Sequence, residues 1–110
     1  MAERVTDAEF GAKVLESPVP VLIDFYGDSC VPCKRLAPQL AKVEAAHADA
    51  GDLAVVKVNT SFDREAAARY GVMGTPTLVL VKGGRELDRL VGFQRAEQVE
   101  TFIKKALAEA

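Results

Sequence analysis

The feature that most limits how this chain can fold is the segment VPVLIDFY, from Val19 to Tyr26. It is nearly continuous in apolar residues, which is typical of a β-strand buried on both of its faces. A second segment of this kind, LAVVKVN, runs from Leu53 to Asn59. Between the two, an apolar stripe at spacings of three and four predicts a helix from about Val31 to Asp49. Strands that alternate with helices in this way predict an α/β fold.

The rest of the chain continues the alternation. Further helices are predicted from Asp7 to about Ser17, from Asp63 to Tyr70 and from Arg95 to Ala108. Two strand-like segments, Pro76–Lys82 and Arg85–Val91, flank Gly83-Gly84 and predict a hairpin, because a tight turn favours glycine at both positions. We therefore expect residues 1–110 to form one domain, with a central mixed sheet of four to five strands flanked by four helices.

Charge and hydropathy exclude two classes of function. The formal net charge is -2, and acidic and basic residues are interspersed, which argues against binding to nucleic acid or to an anionic membrane. The apolar segments are too short to span a bilayer, and the first ten residues, MAERVTDAEF, contain no apolar signal-peptide core. We expect a soluble cytoplasmic protein that binds neither nucleic acid nor membrane.

Both cysteines of the chain lie in FYGDSCVPCKRLAP, as Cys30 and Cys33. A zinc site needs four ligands, and the one histidine, His47, is about four helical turns away, so a metal could be bound only between two chains. A structural disulfide is also disfavoured, because a loop this short removes little entropy from the unfolded chain. We expect no bound metal, and we interpret His47 as a partly buried helix residue and Phe62 as a packing residue.

The position of the cysteines favours a redox couple. Cys30 lies where a buried strand ends and a helix begins, and the N-terminus of a helix stabilises a thiolate. A thiolate is the attacking species in disulfide exchange. Cys33 follows one turn later on the same side of the helix, and Pro32 is favourable in a first helical turn. The sequence therefore predicts a dithiol that opens and closes reversibly.

Two charged residues interrupt the apolar strands. Asp24 and Lys57 each lie near the carboxyl end of a strand, where the sites of α/β proteins gather and where Cys30 is predicted. We hypothesise that they approach each other beneath the dithiol and that Asp24 accepts the proton of Cys33, directly or through water. The alternative is that both side chains point outward from a half-exposed sheet.

A third feature is Thr75-Pro76, which opens a predicted strand just after Gly71 and Gly74. Proline is tolerated at the first position of a strand because it lacks a backbone donor. From these residues alone, an ordinary trans peptide is expected.

Taken together, DFYGDSCVPCKRLAP, KVN, YGVMGTPTLVLVKGG and VGF resemble the thioredoxin family in order and separation over essentially the whole chain. The resemblance implies that Cys30 is the nucleophile, Cys33 the resolving thiol, Asp24 the buried aspartate and Lys57 the lysine near it. It implies that Pro76 is a cis-proline facing the dithiol. It also implies that a substrate segment contacts Ser29, Val31, Pro32, Gly74, Thr75, Pro76 and Gly92.

The chain departs from the usual family motif beside the cysteines. Ser29 replaces a tryptophan, and Val31 replaces a glycine. Tyr26 occupies the other common tryptophan position, and Ser61 replaces a common aspartate. Losing the tryptophan removes a large apolar contact, and a β-branched valine is stiffer than glycine. Both changes are expected to alter the redox potential and the choice of partner.

The leading hypothesis is an enzyme that reduces disulfides in protein substrates by dithiol–disulfide exchange. It implies disulfide-containing proteins and thioredoxin reductase as partners, no bound cofactor and a monomeric state. One alternative is a redox-gated binding protein with little turnover. A third is a disulfide oxidase in an exported compartment.

Overall fold

Within residues 2–110, which are the residues that the computed structural model describes, the chain forms five strands and four helices. The strands are β1 (Glu3–Arg4), β2 (Val21–Tyr26), β3 (Ala54–Asn59), β4 (Thr77–Lys82) and β5 (Arg85–Val91). The helices are α1 (Asp7–Phe10), α2 (Val31–Ala48), α3 (Arg64–Arg69) and α4 (Ala96–Ala108). No helix among these residues is both long and apolar enough to cross a lipid bilayer.

The strands form one sheet in the order β1-β3-β2-β4-β5. β1, β3 and β2 are parallel to one another, whereas β4 is antiparallel to β2 and β5 is antiparallel to β4. The predicted mixed sheet with four flanking helices is therefore confirmed. Apolar clusters cover both faces of the sheet, and β2 is its central strand, which explains its nearly continuous apolar sequence.

A separate apolar cluster covers each face of the sheet. On the face covered by α1 and α3, the buried residues include Val14, Val21, Ile23, Phe25, Val56, Ala66 and Val79. On the face covered by α2 and α4, they include Leu22, Leu36, Leu40, Val43, Val55, Leu78, Leu80 and Ile103. Full burial of each such large side chain stabilises the fold by about 1.5–3 kcal/mol before the loss of chain entropy is counted. Asp24 and Lys57 interrupt the second face.

The hairpin is confirmed as predicted. Gly83 and Gly84 both have positive φ, at 59° and 79°, and Lys82 pairs with Arg85 across the two-residue turn. The register shifts between Leu80 and Val81, which leaves Leu87 as an extra residue in β5.

The structure corrects three expectations. β1 was not predicted, because two exposed residues carry no apolar pattern; they pair with β3 at Val56 and Lys57. The first helix continues from α1 as a π-helix, Gly11–Leu15, with the Glu16 N–H donating to the Gly11 carbonyl at 2.9 Å. Phe62 is 68% exposed, so its interpretation as a packing residue was wrong.

His47 links the end of α2 to its surroundings, far along the helix from the cysteines. Its Nδ1 lies 2.9 Å from Asp52 Oδ1, and its Nε2 lies 2.7 Å from Glu100 Oε1 in α4. Hydrogen bonds to Glu100 and then to Asp52 raise the pKa of His47 above its usual value. The histidine therefore joins α2 and α4 electrostatically.

Candidate active site

The candidate active site begins at the junction between β2 and α2. Cys30 is the N-cap residue of α2, and its Sγ accepts a hydrogen bond from the Cys33 N–H at 3.2 Å. Pro32 follows in the first turn, where its missing N–H costs no helical hydrogen bond. The helix therefore starts with a sulfur atom as its cap, and unpaired N–H groups and the helix dipole favour negative charge on that sulfur.

The two cysteines form a disulfide, with an Sγ–Sγ distance of 2.17 Å and a Cα–Cα distance of 5.2 Å. They differ in exposure. Cys30 is half-buried and lines an open groove, whereas Cys33 is 6% exposed and lines a crevice beneath the junction. One sulfur is therefore accessible to another molecule, and the other faces inward.

The groove beside Cys30 has a volume of about 780 Å³. Its lining residues come from the β2–α2 junction, from the loop after β3 and from the turn before β4: Gly27, Asp28, Ser29, Cys30, Val31, Pro32, Thr60, Ser61 and Thr75. Four of the seven substrate-contact residues expected from the sequence, Ser29, Val31, Pro32 and Thr75, are thus brought together with Cys30.

The other three, Gly74, Pro76 and Gly92, lie at the ends of β4 and β5 next to this groove. The Thr75–Pro76 peptide is cis, so the trans geometry expected from the residues alone was wrong. The Gly92 N–H donates to the Pro76 carbonyl at 2.9 Å, and the Gly74 carbonyl accepts from Thr77 Oγ1 at 2.7 Å. These bonds fix the turn that carries Thr75.

Gly27 separates the Thr75 turn from the dithiol. A Cβ atom added at Gly27 would lie 3.5 Å from Thr75 Oγ1 and 4.0 Å from Cys30 Cβ. The cis-proline turn therefore faces Cys30 across a single small residue.

Asp24 and Lys57 occupy opposite positions in the parallel register of β2 and β3, on the face that α2 covers. With Cys33 and Tyr26, they line the crevice beneath the junction, which has a volume of about 200 Å³. Lys57 is half-buried, and its Nζ lies 5.5 Å from the centre of the Tyr26 ring. The two charged residues thus lie on the same side of the sheet as the inner sulfur.

The carboxyl of Asp24 is unusual because one of its buried oxygens has no hydrogen-bond partner among residues 2–110. Asp24 is 6% exposed, and its Oδ1 has no hydrogen bond among residues 2–110. Burial raises the pKa of Asp24 to about 7, and the charge of Lys57 acts in the opposite direction without cancelling it. A carboxyl of this kind can take up and release a proton near neutral pH.

Four polar residues of the site were not assigned to it from the sequence: Asp28, Asn59, Thr60 and Ser61. Asn59 is buried at the end of β3, and its Nδ2 donates to Asp28 Oδ1 at 2.9 Å, while its Oδ1 accepts from the Ser61 N–H at 2.9 Å. Thr60 Oγ1 donates to the Tyr26 carbonyl at 3.2 Å. Their position could have indicated the site, since all four lie at or just after the carboxyl ends of two parallel strands.

Comparison with known proteins agrees with this geometry. The family model named Thioredoxin matches residues 1–105. Thioredoxin 1 of Nostoc sp. is 43% identical over 96% of this chain and 97% of its own length. The thioredoxin of Alicyclobacillus acidocaldarius is 39% identical over 94% of this chain and 95% of its own length. That of Rickettsia felis is 35% identical over 97% of this chain and all of its own length. With a matching family model, a matching fold and a paired Cys-X-X-Cys at the start of α2, the chain belongs to the thioredoxin family.

Proposed function

We propose that this protein reduces disulfides in other proteins by dithiol–disulfide exchange. The observation that carries the proposal is the pairing of an accessible Cys30 with a buried Cys33. Cys33 lines a crevice with Asp24, whose Oδ1 has no hydrogen-bond partner among residues 2–110. The first sulfur can be reached by a substrate, and the second is held where only the first can meet it. A dithiol arranged in this way transfers two electrons and returns to the disulfide state seen in the structure.

In the first step, the Cys30 thiolate attacks one sulfur of the substrate disulfide. A mixed disulfide forms, and the other substrate sulfur leaves as a thiolate that takes a proton from water. In the second step, Cys33 loses its proton and its sulfur attacks Cys30 Sγ. The bond between Cys30 and the substrate breaks, and the second substrate sulfur leaves as a thiolate that takes a proton from water. The substrate gains two electrons, and the protein becomes the Cys30–Cys33 disulfide.

Asp24 accepts the proton of Cys33 in the second step, directly or through a water molecule in the crevice that both residues line. Its raised pKa supports this role, because an acceptor works best when its pKa is near the working pH. Lys57 stabilises the ionised form of Asp24 from the adjacent strand.

The substrate segment lies against the Thr75–Pro76 turn in an extended conformation and forms strand-like hydrogen bonds with the Thr75 backbone. Gly74 and Gly92 lack side chains that would block a substrate at the two ends of this surface. Ser29, Val31 and Pro32 contact the segment from the side of the dithiol. Support comes from exposed apolar side chains at all three places: Val31, Met73 and Val91. Apolar side chains exposed around a polar groove are typical of a surface that binds another protein.

After each turnover, an external reductase must reduce the disulfide again, and we propose thioredoxin reductase for this task. The protein then carries electrons from that enzyme to protein disulfides, contributes to redox homeostasis and needs no bound cofactor. Because reduction proceeds in a compartment with a reducing poise, we place it in the cytoplasm. We further propose that residues 1–110 act as one domain and as a monomer, which sedimentation of the oxidised and reduced forms would test.

Insulin reduction tests the main proposal. With NADPH and thioredoxin reductase supplied, each protein molecule should reduce many insulin molecules. Consumption of one insulin disulfide per protein, followed by arrest, would instead indicate a redox-gated binding protein. A redox potential in the oxidising range would indicate an oxidase.

Two variants separate the steps. Cys30→Ser should abolish insulin reduction. Cys33→Ser should stop after the first step and accumulate a mixed disulfide that mass spectrometry detects. A Cys33→Ser protein that turns over like the wild type would contradict the assignment of the resolving thiol.

A further inference from the structure

The groove beside Cys30 carries a charge that the mechanism above does not use. Of the nine described residues that line it, Asp28 alone is charged. The others are glycine, proline, valine, cysteine and four residues with hydroxyl groups: Ser29, Thr60, Ser61 and Thr75. Asp28 lies two residues before the accessible sulfur, and it also lines the crevice beneath the junction, where Lys34 and Lys57 are further lining residues.

Asp28 is held in place although it is exposed. The amide of Asn59, which is buried at the end of β3, donates to Asp28 Oδ1 at 2.9 Å. The same amide accepts the Ser61 N–H at 2.9 Å, so Asn59 joins the loop before α2 to the loop after β3. A side chain fixed in this way loses little further freedom when it binds a partner.

One oxygen of Asp28 remains available. No hydrogen bond to Asp28 Oδ2 occurs among residues 2–110, and no cationic side chain lines the groove with it. Thr75, Cys30 and Asp28 all line this groove, so a substrate segment bound beside Cys30 lies near Asp28. An arginine or lysine next to the substrate cystine would meet this carboxylate, whereas an acidic residue would be repelled.

We propose that Asp28 is a specificity-determining residue and that the favoured substrates are protein disulfides flanked by basic side chains. This inference rests on the proposed reductase function and names its substrate class. The interaction is between partly solvated charges, so it discriminates modestly, by about fivefold in kcat/KM at most, and it weakens as salt screens it.

Two synthetic peptides test the inference. They share one sequence with an internal disulfide and differ only at the residue next to the cystine, which is arginine in one and glutamate in the other. The measured quantity is the ratio of their kcat/KM values. Because a general change in the reactivity of Cys30 affects both peptides alike, the ratio isolates recognition. For the wild type, it should be about two to five in low salt and close to one in 1 M NaCl.

Three variants complete the experiment. Asp28→Asn keeps an oxygen for the Asn59 amide and removes the charge, so the ratio should fall to about one. Asp28→Lys should invert the preference. Asp49→Asn, which removes an exposed charge at the opposite end of α2, is the matched control and should keep the wild-type ratio.

The outcomes separate this inference from the function on which it rests. If the wild type reduces insulin and both peptides but shows no preference, or if Asp28→Asn keeps the preference, the inference is overturned and the reductase function stands. If the wild type reduces neither insulin nor the peptides, the proposed function fails and the inference fails with it.

Discussion

Two aspartates lie almost equally deep in this protein, in surroundings that differ in one respect. Asp24, in β2, is 6% exposed, and Asp63, just before α3, is 4% exposed. Asp63 Oδ2 accepts a hydrogen bond from Arg4 Nη2 at 3.1 Å, which ties β1 to the start of α3. Asp24 Oδ1 has no hydrogen-bond partner among residues 2–110. The exposures are similar, so the hydrogen-bonded arginine of Asp63 is the clearest difference between the two residues.

This difference in hydrogen bonding indicates which buried carboxylate has a function beyond stabilising the fold. A buried carboxylate with a hydrogen-bonded cation is compensated and can be explained by the fold. A buried carboxylate without one costs free energy, and a protein retains it where the site uses it. Asp24 lies in the crevice with Cys33, whereas Asp63 lies at the edge of the sheet with Arg4. The comparison therefore supports the proposed proton-transfer role of Asp24 and indicates a structural role for Asp63.

The largest expected effect is on the rate of exchange in Asp24→Asn. Without the acceptor, the attack of Cys33 on the mixed disulfide should slow on the order of 10²-fold at pH 7, the lower end of what general base catalysis contributes. The wild-type rate should rise with pH through a midpoint near 7 as Asp24 ionises, and the variant should lack that midpoint. Quenched single-turnover reactions with a peptide disulfide, from pH 5 to pH 9, measure both quantities.

Asp63→Asn is the matched control for this experiment, because it removes an equally buried carboxylate away from the cysteines. Its profile should keep the wild-type midpoint. An Asp24→Asn profile that coincides with the wild type would contradict the proton-transfer role.

The second effect is on the free energy of unfolding, which Asp24→Asn and Asp63→Asn should change in opposite directions. The pKa of Asp24 is raised from 3.8 to about 7 on folding, so the folded state retains a proton that the unfolded state has lost. The free energy of unfolding of the wild type should therefore fall as pH rises from about 4 to 7. Each pKa unit is worth about 1.4 kcal/mol, which sets an upper limit of about 4 kcal/mol for the fall.

Asp24→Asn should remove this dependence and be more stable than the wild type at pH 8. Asp63→Asn should be less stable by about 1.5–3 kcal/mol, because it weakens a hydrogen bond between charged groups. Urea unfolding of the oxidised proteins at pH 4.5 and pH 8 compares all three. A loss of stability in Asp24→Asn at pH 8 would show that its carboxylate is compensated after all.

The smallest effect concerns Lys57, whose charge lowers the pKa of Asp24 against the larger effect of burial. Lys57→Met should therefore move the midpoint of the exchange profile to higher pH, by about one unit, the low end for neighbouring opposite charges. Lys34, which lines the same crevice but is exposed, provides the comparison, and Lys34→Met should move it less. A midpoint that stays fixed or falls in Lys57→Met would exclude this electrostatic coupling.

Much of the fold was predictable because the apolar pattern reports burial directly. The sequences of β2 and β3 are nearly continuous in apolar residues. Gly83-Gly84 predicted the turn, because this turn needs positive φ at both positions and glycine adopts it readily. β1 was not predictable, since Glu3 and Arg4 are exposed and become a strand only by pairing with β3. The π-helical half of the first helix has no distinguishing pattern in GAKVL.

Site residues could be predicted where a charged residue interrupts an apolar strand. They could not be predicted where they are brought together only by tertiary contacts. Asp24 and Lys57 stood out because each breaks an apolar strand, and the parallel register brings them opposite each other. Asp28 lies in the loop before α2 and Asn59 is the last residue of β3, 31 positions away, and nothing local to either residue indicates their hydrogen bond. That contact comes from tertiary structure alone.

The composition of β5 has a consequence for the protein in crowded solution. This strand forms one border of the sheet, and Arg85, Glu86, Asp88 and Arg89 occupy four of its seven positions. A row of unpaired backbone groups invites another chain to add a strand, and charged side chains along the row make that addition costly. Together with the bulge at Leu87, they are expected to keep the sheet from growing into aggregates along this edge.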